Sequence, residues 1–151
     1  TLGGVPGDIP LAANFTGAGW TDDLVLYRGG IWFVDQYRNG TVDKTFYFGG
    51  VPGDKPLAGD VNGDGIADLV IYRNGIWYID TNRDGVADMT VYFGGMPQDI
   101  PVLLDWDGDG KADLGIFRDG MWYVNTKRDG TAQAMFLYGA AGDIPFAGHF
   151  Y

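Results

Sequence analysis

Short apolar bursts separated by clusters of Gly, Asp and Asn run the length of the chain. In the stretch 55–93 they read as four strands, roughly 56–59, 67–73, 76–80 and 89–93, because short runs rich in Val, Ile and aromatic residues between turn formers are strand signals. Asn74-Gly75 joins the second strand to the third as a two-residue hairpin turn, and Gly29-Gly30 and Asp119-Gly120 take its place elsewhere. The runs Leu69-Val70-Ile71-Tyr72 and Ile76-Trp77-Tyr78-Ile79 are apolar at both parities, so both faces of these strands are expected to be covered.

The pattern repeats. Gly3-Gly4-Val5-Pro6-Gly7-Asp8-Ile9-Pro10 returns as Gly49-Gly50-Val51-Pro52-Gly53-Asp54-Lys55-Pro56 and as Gly94-Gly95-Met96-Pro97-Gln98-Asp99-Ile100-Pro101. A weaker copy is Gly139-Ala140-Ala141-Gly142-Asp143-Ile144-Pro145. Trp32, Trp77 and Trp122 keep step, as do Arg28, Arg73 and Arg118, and Arg38, Arg83 and Arg128. The spacing of about 45 residues is the length of a four-stranded β-propeller blade. The chain is therefore expected to be all-β, one repeat domain over 1–151, with antiparallel blades at about 3–48, 49–93 and 94–138 and the first strand of a fourth in 139–151. It starts within a repeat boundary at Thr1, without a leader peptide, and reads as a mature or trimmed fragment.

Composition narrows the chemistry. Cys, Ser and Glu are absent, so all 20 acids are Asp, and the usual serine and thiol nucleophiles are missing. The one histidine, His149, excludes a His-rich zinc site. The lack of Cys fits a cytosolic chain and an exported bacterial one equally. A net charge of −10 and a pI near 4.2 disfavour nucleic acid and anionic membrane surfaces, and no apolar run approaches the roughly 18 residues of a membrane helix. Either the acids simply keep the chain soluble or they await cations, and their spacing decides for cations.

Asp60-Val61-Asn62-Gly63-Asp64-Gly65-Ile66-Ala67-Asp68 and Asp105-Trp106-Asp107-Gly108-Asp109-Gly110-Lys111-Ala112-Asp113 each place side-chain oxygens at positions 1, 3, 5 and 9 of a loop. Gly at position 6 permits the sharp turn, and the backbone carbonyl of Ile66 or Lys111 at position 7 adds a ligand. Hard oxygen donors in a flexible loop select Ca²⁺ over Mg²⁺ or zinc. A plain Asp-Gly turn is the alternative, and two matches in register favour calcium. These are not EF-hands, because the bidentate Glu at position 12 is missing and a strand follows. Asn14-Phe15-Thr16-Gly17-Ala18-Gly19, with one residue inserted before Asp23, has lost the acids and is expected to bind metal weakly or not at all. His149 replaces the first Asp of the fourth copy, where no site is expected. A second loop type, Asp80-Thr81-Asn82-Arg83-Asp84-Gly85-Val86-Ala87-Asp88, offers Asp80, Asn82, Asp84, the Val86 carbonyl and Asp88 in the same pattern, as a further metal site or a polar hairpin turn. Tyr37 and Lys127 replace Asn82 in its equivalents, where the Lys127 ammonium could stand in for a cation.

Phe48-Gly49-Gly50, Phe93-Gly94-Gly95 and the loops 60–68 and 105–113 resemble FG-GAP repeats, the integrin-α-type or VCBS calcium-binding β-propeller family. The resemblance covers essentially the whole chain. It implies propeller blades with calcium between first and second strands. It also implies an extracellular, cell-surface or periplasmic location and a role in adhesion or ligand binding. Some fungal lectins are similar and bind sugars between blades. The first repeat departs from the family's acidic loop. Propellers close with 4–8 blades, so three and a fraction imply a piece of a longer protein, an unusually small or open structure, or association of copies. A dimer giving six blades is preferred.

The expected function is a calcium-stabilised binding or adhesion scaffold with a protein or glycan ligand. The alternatives are a propeller-type lectin, with loop residues Trp20 and Trp106 stacking on sugar, and a structural spacer. Trp32, Trp77 and Trp122 are expected in the core. Hydrolysis by paired Asp residues is disfavoured, since the acids are explained as ligands, and the chain is not expected to be an enzyme. At the end opposite the metal loops, Asp8, Asp54 and Asp99 are expected to pair with Arg28, Arg73 and Arg118 across blades.

Overall fold

The computed structural model describes residues 2–17, 19 and 21–147, which form strands and no helix. The first sheet comprises β1 (Ile9–Ala13), β2 (Asp23–Arg28), β3 (Ile31–Asp35) and β4 (Lys44–Tyr47). The second comprises β5 (Lys55–Gly59), β6 (Asp68–Arg73), β7 (Ile76–Asp80) and β8 (Met89–Tyr92). The third comprises β9 (Ile100–Leu104), β10 (Asp113–Arg118), β11 (Met121–Asn125) and β12 (Ala134–Leu137). Each is a four-stranded antiparallel meander in chain order. The central hairpin of the second sheet pairs Tyr72 with Trp77, and Asn74 and Gly75 turn it with φ of 49° and 86°. Both positive values fit the type I′ turn, and a side chain on Gly75 would meet the Gly95 Cα at 2.7 Å.

The sheets stack face to face. Leu69 and Ile71 of β6 bury against Val25, Tyr27 and Trp32 of the first sheet. On the opposite face Val70 and Tyr72 pack with Leu114 and Ile116 of the third sheet. Coverage of both faces therefore holds for β6. It fails for β2, where Leu24 is 48% exposed, because no sheet lies against that face among the described residues. The expected first strand of a fourth repeat is also not formed within residues 139–147. Ile144 and Phe146 are exposed there.

The first strands are neighbours, β1 beside β5 and β5 beside β9. Backbone hydrogen bonds tie each loop to the next: the Ala67 amide donates to the Asn14 carbonyl at 2.7 Å and the Ala112 amide to the Asp60 carbonyl at 2.6 Å. The Lys111 stem lies across Gly63, where an added Cβ would sit 2.8 Å from the Lys111 Cε.

At the opposite end the expected Asp–Arg pairs form, but within one sheet and not across sheets. Arg73 Nε donates to Asp54 Oδ1 at 2.6 Å, and Arg28–Asp8 and Arg118–Asp99 match it. The register explains the correction: Lys55 pairs with Tyr72, which brings the residue before β5 beside the last residue of β6. Between repeats at this end the tyrosine hydroxyl accepts from the Gly50 amide at Tyr27 (3.0 Å) and from the Gly95 amide at Tyr72 (3.1 Å), and Lys55 Nζ donates to the Asp99 carbonyl at 2.7 Å.

Candidate metal centre

In every sheet the first hairpin and the last turn at one end, and that end gathers the acidic loops. A cleft of about 370 Å³ between the first strands is lined there by Asn14, Asp60, Asp105 and Lys111.

Most of the acids in loop 60–68 fold the loop itself. Asp60 accepts the amides of Gly63 at 2.6 Å and Gly65 at 2.7 Å, one on each carboxylate oxygen. Asn62 Oδ1 accepts the Asp64 amide and Asp64 Oδ1 the Ile66 amide, each at 2.8 Å. Such side-chain to backbone bonds two residues on are the turn chemistry of Asx residues. Asp68, at the start of β6, differs in being fully buried. Its Oδ2 accepts the Val61 amide at 2.8 Å, whereas its Oδ1 is buried without a hydrogen bond. Burial pushes this carboxyl up to about 7 against its backbone hydrogen bonds, and the charges of Asp60 and Asp64 add to the push.

Loop 105–113 repeats the arrangement. Asp105 accepts the amides of Gly108 and Gly110, and Asp109 accepts the Lys111 amide. The carboxylates of Asp105, Asp107 and Asp109 lie within 4.8 Å of one another. Asp113 is buried, its Oδ2 accepts the Trp106 amide at 2.9 Å, and its Oδ1 again has no hydrogen bond. Burial raises its pKa, and Asp107 and Asp109 act in the same direction.

A buried carboxylate oxygen without a partner is costly. Here the same oxygen lacks a hydrogen bond in both loops, and in loop 105–113 Asp105, Asp107 and Asp109 are the acids that come close enough to share an ion among the described residues. A hard cation fits that donor set. Asp60, Asn62, Asp64, the Ile66 carbonyl and Asp68 would hold one. Asp105, Asp107, Asp109, the Lys111 carbonyl and Asp113 would hold another.

Loop 80–88 has the same spacing in a different environment. Asp88 is exposed, and both its oxygens accept hydrogen bonds: Oδ2 from the Thr81 amide and hydroxyl at 2.8 Å, Oδ1 from Asn82 Nδ2 at 3.3 Å. Asp80 is buried and accepts the Arg83 and Gly85 amides, and Asn82 and Asp84 cap the amides of Asp84 and Val86. The loop folds on its own side chains and leaves no bare buried oxygen for an ion. In the first repeat Asn14 Oδ1 accepts the Thr16 and Gly17 amides and Asp23 the Phe15 amide, so the frame survives with Asn14 in place of the first acid. Trp20 and His149 lie outside the described residues.

Three arginines complete the site. Arg38, Arg83 and Arg128 all sit at left-handed φ of 53–62° in the last turn of their sheets. Each guanidinium donates to the carbonyl just before the ninth-position acid: to Asp22 at 3.1 Å, Ala67 at 3.1 Å and Ala112 at 3.0 Å. Arg83 Nη1 lies 3.5 Å from the bare Asp68 Oδ1, and Arg128 Nη2 lies 3.8 Å from Asp113 Oδ1. Their periodicity is visible in the sequence, but their target is not, because it lies on another loop. Arg128 thus approaches loop 105–113, while the Lys127 charge lowers the pKa of Asp129 within the loop where Lys127 replaces Asn82.

Trp106 is 47% exposed and stacks on Phe136 at 4.8 Å. It keeps the repeat register, at the second loop position held by Phe15 and Val61, which are 3% and 2% exposed.

Fold and site together define an all-β repeat protein with acid-rich loops between first and second strands. No family model matches the chain, and no curated protein does. A solved structure of an Agrocybe aegerita lectin, described as specifically recognising non-reducing terminal N-acetylglucosamine, is similar at 20% identity with a TM-score of 0.54. The match covers 83% of this chain and 37% of the lectin chain, so this chain spans just over a third of that structure's length. At that identity the likeness concerns the fold.

Proposed function

We propose that this chain is a carbohydrate-binding module of β-propeller type, with Ca²⁺ as a structural ion in loops 60–68 and 105–113. The fold likeness to a lectin is the observation that carries the sugar reading. The bare oxygens of Asp68 and Asp113, and the resemblance of these loops to FG-GAP repeats, support the ion. Bound there, the ion supplies charge neutralisation and loop closure, so its binding free energy adds to folding free energy. Loops of this donor count suit the millimolar calcium outside cells, and we place the module at a cell surface, in the periplasm or in the extracellular medium. The reading is of binding and not catalysis, since the acids serve as ligands and turn formers.

A glycan array that includes N-acetylglucosamine-terminated chains, probed in calcium and again after chelation, tests this. Binding in calcium that weakens at least tenfold on chelation is the expected result. Silence on every glycan in calcium, with the chain folded, would leave the adhesion-scaffold reading with a protein ligand in its place.

Ring closure by a second copy is part of the proposal. Leu24 is 48% exposed whereas its counterpart Leu69 is fully buried by the preceding sheet, and Trp106 is exposed where Phe15 and Val61 are buried. Among the described residues these two faces carry no further sheet, and they are the two halves of a junction made twice within the chain. Native mass spectrometry is expected to show a dimer, with Leu24→Asp shifting it to monomer. A monomer at micromolar concentration would sink this part. If Trp106→Ala abolishes glycan binding and leaves the dimer intact, the indole is a sugar platform and not a closing contact.

A further inference from the structure

We infer that Arg83 and Arg128 are resident counter-cations of the two metal loops, each holding the ninth-position carboxylate in the metal-free protein. The inference rests on the calcium reading above and adds residues that the loop motif does not contain.

The placement is built. The Arg83 amide donates to the buried Asp80 at 2.7 Å, which fixes the turn at φ 62° and directs the side chain back across the sheet end. Arg83 Nη1 then donates to the Ala67 carbonyl and stands 3.5 Å from Asp68 Oδ1, with the arginine side chain 17% exposed and the aspartate side chain 0%. Arg128 repeats this toward Asp113 at 3.8 Å, with 15% and 1% exposure. At these distances the guanidinium neutralises charge without donating a hydrogen bond to the bare oxygen, so the oxygen remains available to an ion. Loop 80–88 thereby has a role: its acids shape a turn that delivers an arginine to the neighbouring loop.

The consequence is unequal dependence of the two states on Arg83. Without metal, and in alkaline buffer where the buried carboxylate is ionised, the arginine is the cation that faces it, and removing it leaves that charge uncompensated. With metal bound, the ion neutralises the carboxylate and the arginine repels the ion. Arg83→Met should therefore destabilise the metal-free protein more than the calcium-loaded one.

The test is thermal unfolding of wild type, Arg83→Met and Arg83→Lys in alkaline buffer, each in chelator and in calcium, with calcium affinity from titration calorimetry. The calcium-induced rise in Tm is expected to grow by about 3 °C in Arg83→Met, with affinity about fivefold tighter, and to return to the wild-type value in Arg83→Lys. Arg128→Met repeats the test at the other loop. An unchanged rise would mean that the arginine only caps the Ala67 carbonyl, and a smaller rise would mean that it shapes the metal site; either overturns the inference. So does failure of both methionine variants to fold in calcium. If wild type shows no calcium-induced rise at all, the calcium reading itself is at fault.

Discussion

Stripped of divalent ions, the protein should lose stability as the pH rises from about 4 to about 7, and calcium should cancel the loss. Asp68 titrates near 3.8 in the unfolded chain and at about 7 in the fold, chiefly because it is buried. Between those values the folded protein keeps a proton that the unfolded chain has released. The folded state is thus favoured in full below pH 3.8, and the advantage disappears as the pH passes 7. Three units correspond to roughly 4 kcal/mol. Asp80 and Asp113, also raised by burial, act in the same direction. Asp8, Asp88, Asp99 and Asp129 are held below the usual carboxylate range, so their contribution is lost only as the pH falls below about 4 and leaves the window clear. A cation in loop 60–68 would bind the ionised carboxylate and so remove the advantage of the proton. Urea midpoints in chelator and in calcium at pH 4, 5.5 and 7 provide the measurement. Asp68→Asn should remove most of the slope in chelator and the calcium effect at that loop. A flat profile in chelator would show that the buried oxygen is not the burden the geometry implies.

Trp77→Ala is expected to cost about 4 kcal/mol, near the top of the range for large-to-small core substitutions, and Trp122→Ala distinctly less. Trp77 is fully buried, meets Tyr72 edge-on at 5.1 Å and donates its indole N–H to the Phe93 carbonyl at 2.9 Å. Sheets lie on both sides of its own, so the hole cannot collapse without moving two interfaces. Trp122 makes the matching bond to the Tyr138 carbonyl at 2.8 Å but is 8% exposed, and what covers it is half-buried Phe136 under the exposed Trp106, with no further sheet among the described residues. Equal losses in a chemical denaturation series would mean that the outer face of the third sheet is as tightly enclosed as the second sheet.

The strands were legible because their hydrophobic runs are bounded by turns that leave little choice of conformation. Asn74-Gly75 and its counterparts demand two positive φ values, and that alone places the central hairpins. The oxygen spacing of loops 60–68 and 105–113 was equally plain. What the spacing could not tell was burial. Asp68 and Asp88 occupy the same position in two loops of one pattern, yet one opens a central strand covered on both sides and the other precedes the outermost strand in solvent. Only the first leaves an oxygen bare. The pairing of Asp54 with Arg73 inside one sheet follows from hairpin register and was within reach of the sequence. The reach of Arg83 to Asp68 was not, because it joins two loops brought together only when the sheet closes on its four strands.

The junction between neighbouring sheets has a bearing on how such a chain can change over generations. The amides of Ala67 and Ala112 bind the carbonyls of Asn14 and Asp60, groups that every residue type possesses. Asn14 stands where an acid stands in the second and third copies and still holds its neighbour at 2.7 Å. A repeat can therefore lose its loop acids by point mutation while keeping its place in the stack. After duplication, each copy is free to drift toward a different surface, and the scaffold asks of it only its length and its apolar faces.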